Sequence, residues 1–225
     1  MFNLNLSEPF VQPPVIDKYW SLFQRFMSTS HRITREVVIA LSNILGLEGE
    51  DRLENFHGEN TPSPSALSMV NTFMRSSTDN NVGHYAHTDV GSITLVFCKE
   101  WGLQVLSPRT NKWANVGPRP GYAIVNIGDS LRFLSKSKLR SSFHRVVPFI
   151  GSSQRPRKSI VYFLRPNSGT IFKDVDGNEW TAEQWQERKY IVFVETHEEQ
   201  KMSSLLTGEK GVLGLLDPTD EGVFE

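Results

Sequence analysis

His87-Thr88-Asp89-Val90-Gly91-Ser92-Ile93-Thr94-Leu95-Val96 sets a histidine and an aspartate two positions apart, then a glycine, then an apolar run rich in β-branched residues. Ile, Thr and Val fit a pleated, half-buried surface, so the run reads as a strand. Residues two apart on a strand point to the same face, and His87 with Asp89 at a strand end are placed to grip one ion. The triplet alone is weak, because His and Asp two apart occur by chance in many chains. Its meaning comes from its surroundings.

From Ala66 onward, short β-type runs alternate with Gly, Pro, Asn and Asp. The candidate strands are Leu67 to Met74, His84 to His87, Ser92 to Cys98, Leu103 to Ser107, Trp113 to Val116, Ala123 to Ile127, Ser142 to Val147 and Lys158 to Leu164. Eight short strands at this spacing predict a jelly roll. Ahead of them, Val15 to Leu45 carries apolar residues at helical spacing, with Gly46 as the expected stop and Ser28-Thr29-Ser30 as a candidate interruption. Behind them, Thr181 to Lys189 reads as a helix opened by Thr181, and Ser203 to Leu216 as a covering tail or lid. The expected division is a helical support over 1–64, a β core over 65–170 and a C-terminal helix and tail over 171–225.

The 225 residues, 38% hydrophobic and 22% charged, are enough for one sizeable core. The 24 Lys and Arg nearly cancel the 25 Asp and Glu, so no whole-protein field favours a polyanion or an anionic membrane surface. Nucleic acid and membrane partners are not expected. Cys98 is the one cysteine, which excludes an intrachain disulfide and any multi-cysteine metal site. No apolar run approaches the roughly 20 residues needed to span a bilayer, and a cytoplasmic setting is expected.

His144, 55 positions after Asp89, falls in a candidate strand and completes a set of two imidazoles and one carboxylate. That set holds Fe(II) on one octahedral face and leaves the other positions open. Thirteen residues further, Arg157-Lys158-Ser159 opens the last strand. A guanidinium presents a rigid fork of donors to a carboxylate, and a neighbouring hydroxyl adds a third hydrogen bond.

These motifs occur in order with Gly102-Leu103-Gln104-Val105, Val125-Asn126-Ile127-Gly128-Asp129 and Arg140-Ser141-Ser142-Phe143-His144-Arg145-Val146-Val147. In this the chain resembles the 2-oxoglutarate and Fe(II)-dependent dioxygenases, in the branch of isopenicillin N synthase and anthocyanidin synthase, continuously from about Ser65 to Asn167. The resemblance implies a double-stranded β-helix with a long supporting helix. It implies His87, Asp89 and His144 as iron ligands and catalytic centre, Arg157 and Ser159 as the anchor for 2-oxoglutarate, and dioxygen as second co-substrate. Asn71-Thr72-Phe73 matches a family segment reading Asn-Tyr-Tyr, which implies Asn71 near 2-oxoglutarate and puts Phe73 where a tyrosine hydroxyl would stand. Members of this branch commonly carry roughly a hundred more residues before the helix, so a homodimer or helper subunit is expected to cover an exposed edge.

The expected activity is oxidation of a C–H bond in a small organic molecule, by hydroxylation, desaturation or ring formation, in specialised metabolism. Two alternatives stay open: an oxidase in which Arg157 and Ser159 bind a substrate carboxylate without 2-oxoglutarate, and a non-catalytic partner of a longer oxygenase. Elsewhere, His31, His57 and His197 read as surface groups and His84 as structural or as a support beside the iron ligands. Trp101, Trp113, Phe133 and Phe143 read as core aromatics, and Cys98 as a small hydrophobe. Asp129 and Arg145 read either as supports for the iron ligands or as turn and surface groups. Phe73, Phe133, Phe163 and Arg165 are the candidates for the pocket wall.

Overall fold

A computed structural model describes residues 2–3, 13–59, 61–72, 84–147 and 156–208. Phe73, Met74, residues 209–216 of the expected lid, and the side chains of His84 and His197 lie outside the described residues. The chain opens with a short strand β1 (Phe2–Asn3) and two helices, α1 (Pro14–Lys18) and α2 (Trp20–Ile44). Then follow strands β2 (Ala66–Thr72), β3 (His84–His87), β4 (Ile93–Cys98), β5 (Leu103–Leu106), β6 (Trp113–Asn115) and β7 (Ile124–Ile127). After helix α3 (Asp129–Leu134) come β8 (His144–Val146) and β9 (Arg157–Leu164), then the hairpin β10 (Ile171–Lys173) and β11 (Glu179–Thr181). Helices α4 (Ala182–Val194) and α5 (His197–Lys201) close the described chain.

The strands form two antiparallel sheets ordered β1-β2-β9-β4-β7 and β3-β8-β5-β6, with the β10-β11 hairpin apart. This is the expected jelly roll, a double-stranded β-helix, and all eight candidate strands are present. The large sheet has two unlike faces. Leu67, Ile93, Leu95, Tyr162 and Leu164 are buried against α2, where Phe23, Phe26, Met27, Val37, Val38 and Leu41 pack. Burying such a face is what stabilises a helix that would be marginal alone in water. The alternate residues point into the roll, as period 2 demands.

Helix α2 ends where the sequence indicates. Gly46 adopts φ 62, Gly46 N–H donates to Asn43 C=O (3.2 Å) and Leu47 N–H to Ser42 C=O (2.9 Å), closing the last carbonyls. The interruption, however, falls at Tyr19 rather than at Ser28-Thr29-Ser30. The Ser28 hydroxyl donates to the Arg25 carbonyl within the helix, and Ser30 is buried on its packed face. Helix α4 begins at the expected Thr181, which forms a reciprocal capping box with Gln184, and runs on to Val194. A second core of Phe133, Phe172, Ala182 and Trp185 joins α3, the β10 strand and α4.

Candidate active site

His87 ends β3 and His144 begins β8, and the two residues are directly paired across the antiparallel ladder. Asp89 follows in the loop after β3. Nε2 of each histidine lies 3.7 Å from Asp89 Oδ1, and one ligand atom from each residue lies within 4.8 Å of the others. No other cluster of three His, Cys, Asp or Glu side chains this close occurs among the described residues.

Hydrogen bonds fix which atoms face inward. Nδ1 of His144 is 3.0 Å from the Ser142 carbonyl, which only accepts, so Nδ1 carries the proton and Nε2 presents its lone pair. Asp89 is buried, and Asn126 on β7 donates to its Oδ2 at 2.6 Å. Burial opposes ionisation of Asp89. The fields of His144 and His87 when these are protonated, together with the hydrogen bonds from Asn126 and Thr94, outweigh it and hold the carboxyl below its ordinary pKa.

The loop behind Asp89 is held by the start of α3. Asp129 N–H donates to the Asp89 carbonyl and Ser130 N–H to the Gly91 carbonyl, both at 2.9 Å. Gly91 has φ 123, and a Cβ there would stand 2.8 Å from the Leu164 carbonyl oxygen, so only glycine fits.

The three residues open into a cavity of about 320 Å³ walled by Val70, Val96, Leu103, Val105, Ile124, Val161, Phe163 and Phe193, among others. Arg157 and Ser159 line the same cavity. Arg157 is 4% exposed, its Nη1 donates to Ser159 Oγ at 3.4 Å, and its Nε has no hydrogen-bond partner among the described residues. A buried cation with an unused donor calls for an anion that uses it. Two imidazole nitrogens and a carboxylate on one side, leaving open positions, suit Fe(II). The residues present therefore fit both an iron ion and a carboxylate-bearing co-substrate.

The sequence profile of the 2OG-Fe(II) oxygenase superfamily matches residues 65–166. The 2-oxoglutarate-dependent dioxygenase iboH of Amanita muscaria is 44% identical over 200 residues, covering 87% of this chain and 96% of that protein. The chain belongs to the 2OG-Fe(II) oxygenase superfamily. Oxidoreductase vrtI of Penicillium aethiopicum is 41% identical over 197 residues, which are 87% of this chain and 48% of that one. The chain spans about half to three fifths of several other relatives, 59% in two and 61% in another. A full-length Neurospora crassa protein solved in complex with alpha-KG and thymine shares the fold, with a TM-score of 0.65, 23% identity and coverage of 83% and 62% of the two chains.

Within this oxygenase fold, several side chains stand elsewhere than the sequence reading put them. Asn71 is exposed and faces an outer groove of about 820 Å³ with Lys158 and Ile160. In the register of β2 against β9, Val70 pairs with Ser159 and Thr72 with Arg157, whereas Asn71 pairs with outward Lys158. The matched segment is thus one residue out of phase, and a slip of one inverts the face. Phe133 sits in the second core, away from the cavity, while Phe163 does line it. Arg165 is buried behind that wall, its guanidinium over the Phe163 ring at 4.9 Å. Burial lowers its pKa to about 10.

His57 is a core residue, 1% exposed, between the Leu53 carbonyl and the Ser92 hydroxyl. His31 is partly buried against the Tyr162 hydroxyl at 3.1 Å. Trp101 is 44% exposed and is no core aromatic. Arg145 stacks on Trp113 at 4.1 Å and donates to Gln104. Cys98 closes β4 opposite Ser159 as a free, partly buried thiol.

Asn126, Thr94 and Phe193 are functional neighbours that the sequence reading did not single out. Asn126 lay in a quoted motif, and its position two residues from a Gly-Asp turn was the available signal. Phe193 comes from α4 and meets the His87 ring edge-on at 5.5 Å, a long-range contact with no local trace in sequence.

Proposed function

We propose that this chain is an Fe(II) and 2-oxoglutarate-dependent oxygenase that oxidises a C–H bond of a small organic molecule in specialised metabolism. His87, Asp89 and His144 hold the iron, and Arg157 with Ser159 binds the distal carboxylate of 2-oxoglutarate. The observation that carries this reading is the buried Arg157, which lines the same cavity as the three ligands and keeps an Nε with no partner among the described residues. When bound, iron with 2-oxoglutarate supplies an oxidant from dioxygen as the co-substrate is decarboxylated to succinate and carbon dioxide.

The chain's own residues do the rest. Asn126 and the Ser142 carbonyl orient the ligand atoms, so the site is shaped before an ion arrives. Arg157 and Ser159 set the co-substrate's reach to the metal by holding its far end. Apolar Val96, Val105, Ile124, Val161 and Phe193 line the same cavity and exclude water from it. The likeness to iboH, a fungal 2-oxoglutarate-dependent dioxygenase, supports the use of that co-substrate.

An intracellular site of action goes with the lone thiol, and no helix among the described residues is long and apolar enough to cross a membrane. A second copy or helper subunit goes with the exposed Tyr122 (61%), just before edge strand β7, and Val125 (52%) within it. Sedimentation showing only monomer would remove the homodimer.

Conversion of 2-oxoglutarate to succinate, followed with and without Fe(II), tests the activity. The expected result is iron-dependent succinate that disappears in His144→Ala. Oxidation of a substrate with no succinate formed would instead identify an oxidase that does not use 2-oxoglutarate.

A further inference from the structure

We infer that Lys189 is a positioning residue for the metal centre, acting through the hydroxyl of Thr88, the residue between ligands His87 and Asp89. The inference rests on the ligand assignment proposed above and extends the centre to helix α4, about a hundred residues further along the chain.

Lys189 is 2% exposed, in a helix whose other buried residues are Ala182, Trp185 and Val192. Lysine is almost never fully buried without a partner. Its Nζ donates to the Asp129 carboxylate, which is 0% exposed, and to Thr88 Oγ1 at 2.7 Å. Thr88 is itself 2% exposed. Its hydroxyl accepts from Lys189 and donates to the Leu206 carbonyl at 3.3 Å, while its N–H donates to the same carbonyl at 2.9 Å. The hydroxyl both donates and accepts, which fixes the side chain of the residue that joins the two ligands.

The same pair grips the loop a second time. Asp129 N–H donates to the Asp89 carbonyl at 2.9 Å, so the residue that neutralises Lys189 also holds the backbone of a ligand. The turn over 204–208 closes the assembly. Gly208 has φ 62, and a Cβ there would stand 2.8 Å from Asp129 Oδ1; the Gly208 carbonyl accepts from Arg132 Nη1 at 2.7 Å.

A buried ion pair is a poor source of stability, since desolvation offsets much of the Coulomb attraction. What this pair does supply is a fixed position. Lys189 holds the side chain of Thr88, which joins the two ligands along the chain, and Asp129 holds the backbone carbonyl of Asp89.

The test is anaerobic Fe(II) titration of the full chain, with urea unfolding of each metal-free protein alongside. Thr88→Val keeps the side-chain shape and the Lys189–Asp129 pair but removes the hydroxyl. Its Fe(II) affinity is expected to fall by about 10-fold or more, within the range for groups that orient ligands. Its urea midpoint should shift too little to explain that fall. Lys189→Met should weaken Fe(II) binding at least as much, and Thr88→Val should then add little to it in the double variant. If Lys189→Met does not fold, the Thr88→Val result alone decides. Wild-type affinity in folded Thr88→Val would overturn the inference and leave the ligand assignment standing. No Fe(II) binding by the wild type would overturn the assignment, and the inference with it.

Discussion

Asn126 donates its side-chain amide to Oδ2 of Asp89 at 2.6 Å, leaving Oδ1 as the oxygen that faces Nε2 of both His87 and His144. One oxygen is spent on the scaffold and the other is aimed at the proposed ion. Asn126→Ala is expected to weaken Fe(II) binding by about 10- to 100-fold while the chain stays folded. An anaerobic Fe(II) titration checks this, and an unchanged dissociation constant would show that Asp89 orients itself.

Arg157 is expected to govern the use of 2-oxoglutarate. Hydrogen bonds to a charged group contribute about 1.5–3 kcal/mol, so Arg157→Ala should raise the KM for 2-oxoglutarate by about 10- to 150-fold. Arg157→Lys should recover only part of this, because an ammonium lacks the planar fork. Steady-state succinate formation measures both variants, and equal KM values for all three proteins would remove Arg157 from the anchor.

The eight strands were legible because each keeps period 2 over a few residues and is bounded by turn formers. The site was legible because His87, Asp89, His144, Arg157 and Ser159 lie in or beside those strands. Asn71 shows the limit. Its face depends on a one-residue register against β9, which no local pattern sets. His57 read as a surface residue because a lone histidine usually is one, and its partners Leu53 and Ser92 are chosen by packing. Helix α3 and the β10-β11 hairpin are too short for a periodic signal, and the contact of Phe193 with His87 exists only once α4 docks.

Gly91 is expected to be irreplaceable on steric grounds. With φ 123 and a Cβ position 2.8 Å from the Leu164 oxygen, Gly91→Ala meets backbone that also accepts the Ser92 N–H bond at 2.8 Å. The cost should reach about 2 kcal/mol or more, from strain and a displaced strand end together. Urea unfolding measures it, and a loss near zero would mean that the loop relaxes freely.

His57 should make the fold acid-sensitive. Burial lowers its pKa from 6.5 to about 4, and its Nδ1–H donates to the Leu53 carbonyl while Nε2 accepts from the Ser92 hydroxyl. Between these values the unfolded chain binds the extra proton and the folded chain does not. Stability from this group is therefore complete above pH 6.5 and is lost as pH falls toward 4. The total is on the order of 3 kcal/mol. Urea midpoints across this range should fall in the wild type and flatten in His57→Gln, and parallel profiles would assign the acid sensitivity to other groups.

The central claim is that one cavity holds iron at His87, Asp89 and His144 and a 2-oxo acid at Arg157. Adding Fe(II) and then 2-oxoglutarate without oxygen, and recording the visible absorption of a 2-oxo acid chelated to iron, tests it most directly. The account predicts a band in the wild type, a much weaker one in Arg157→Ala at the same 2-oxoglutarate concentration, and none in His144→Ala. Iron binding with no band in the wild type, or an equal band in Arg157→Ala, would contradict it.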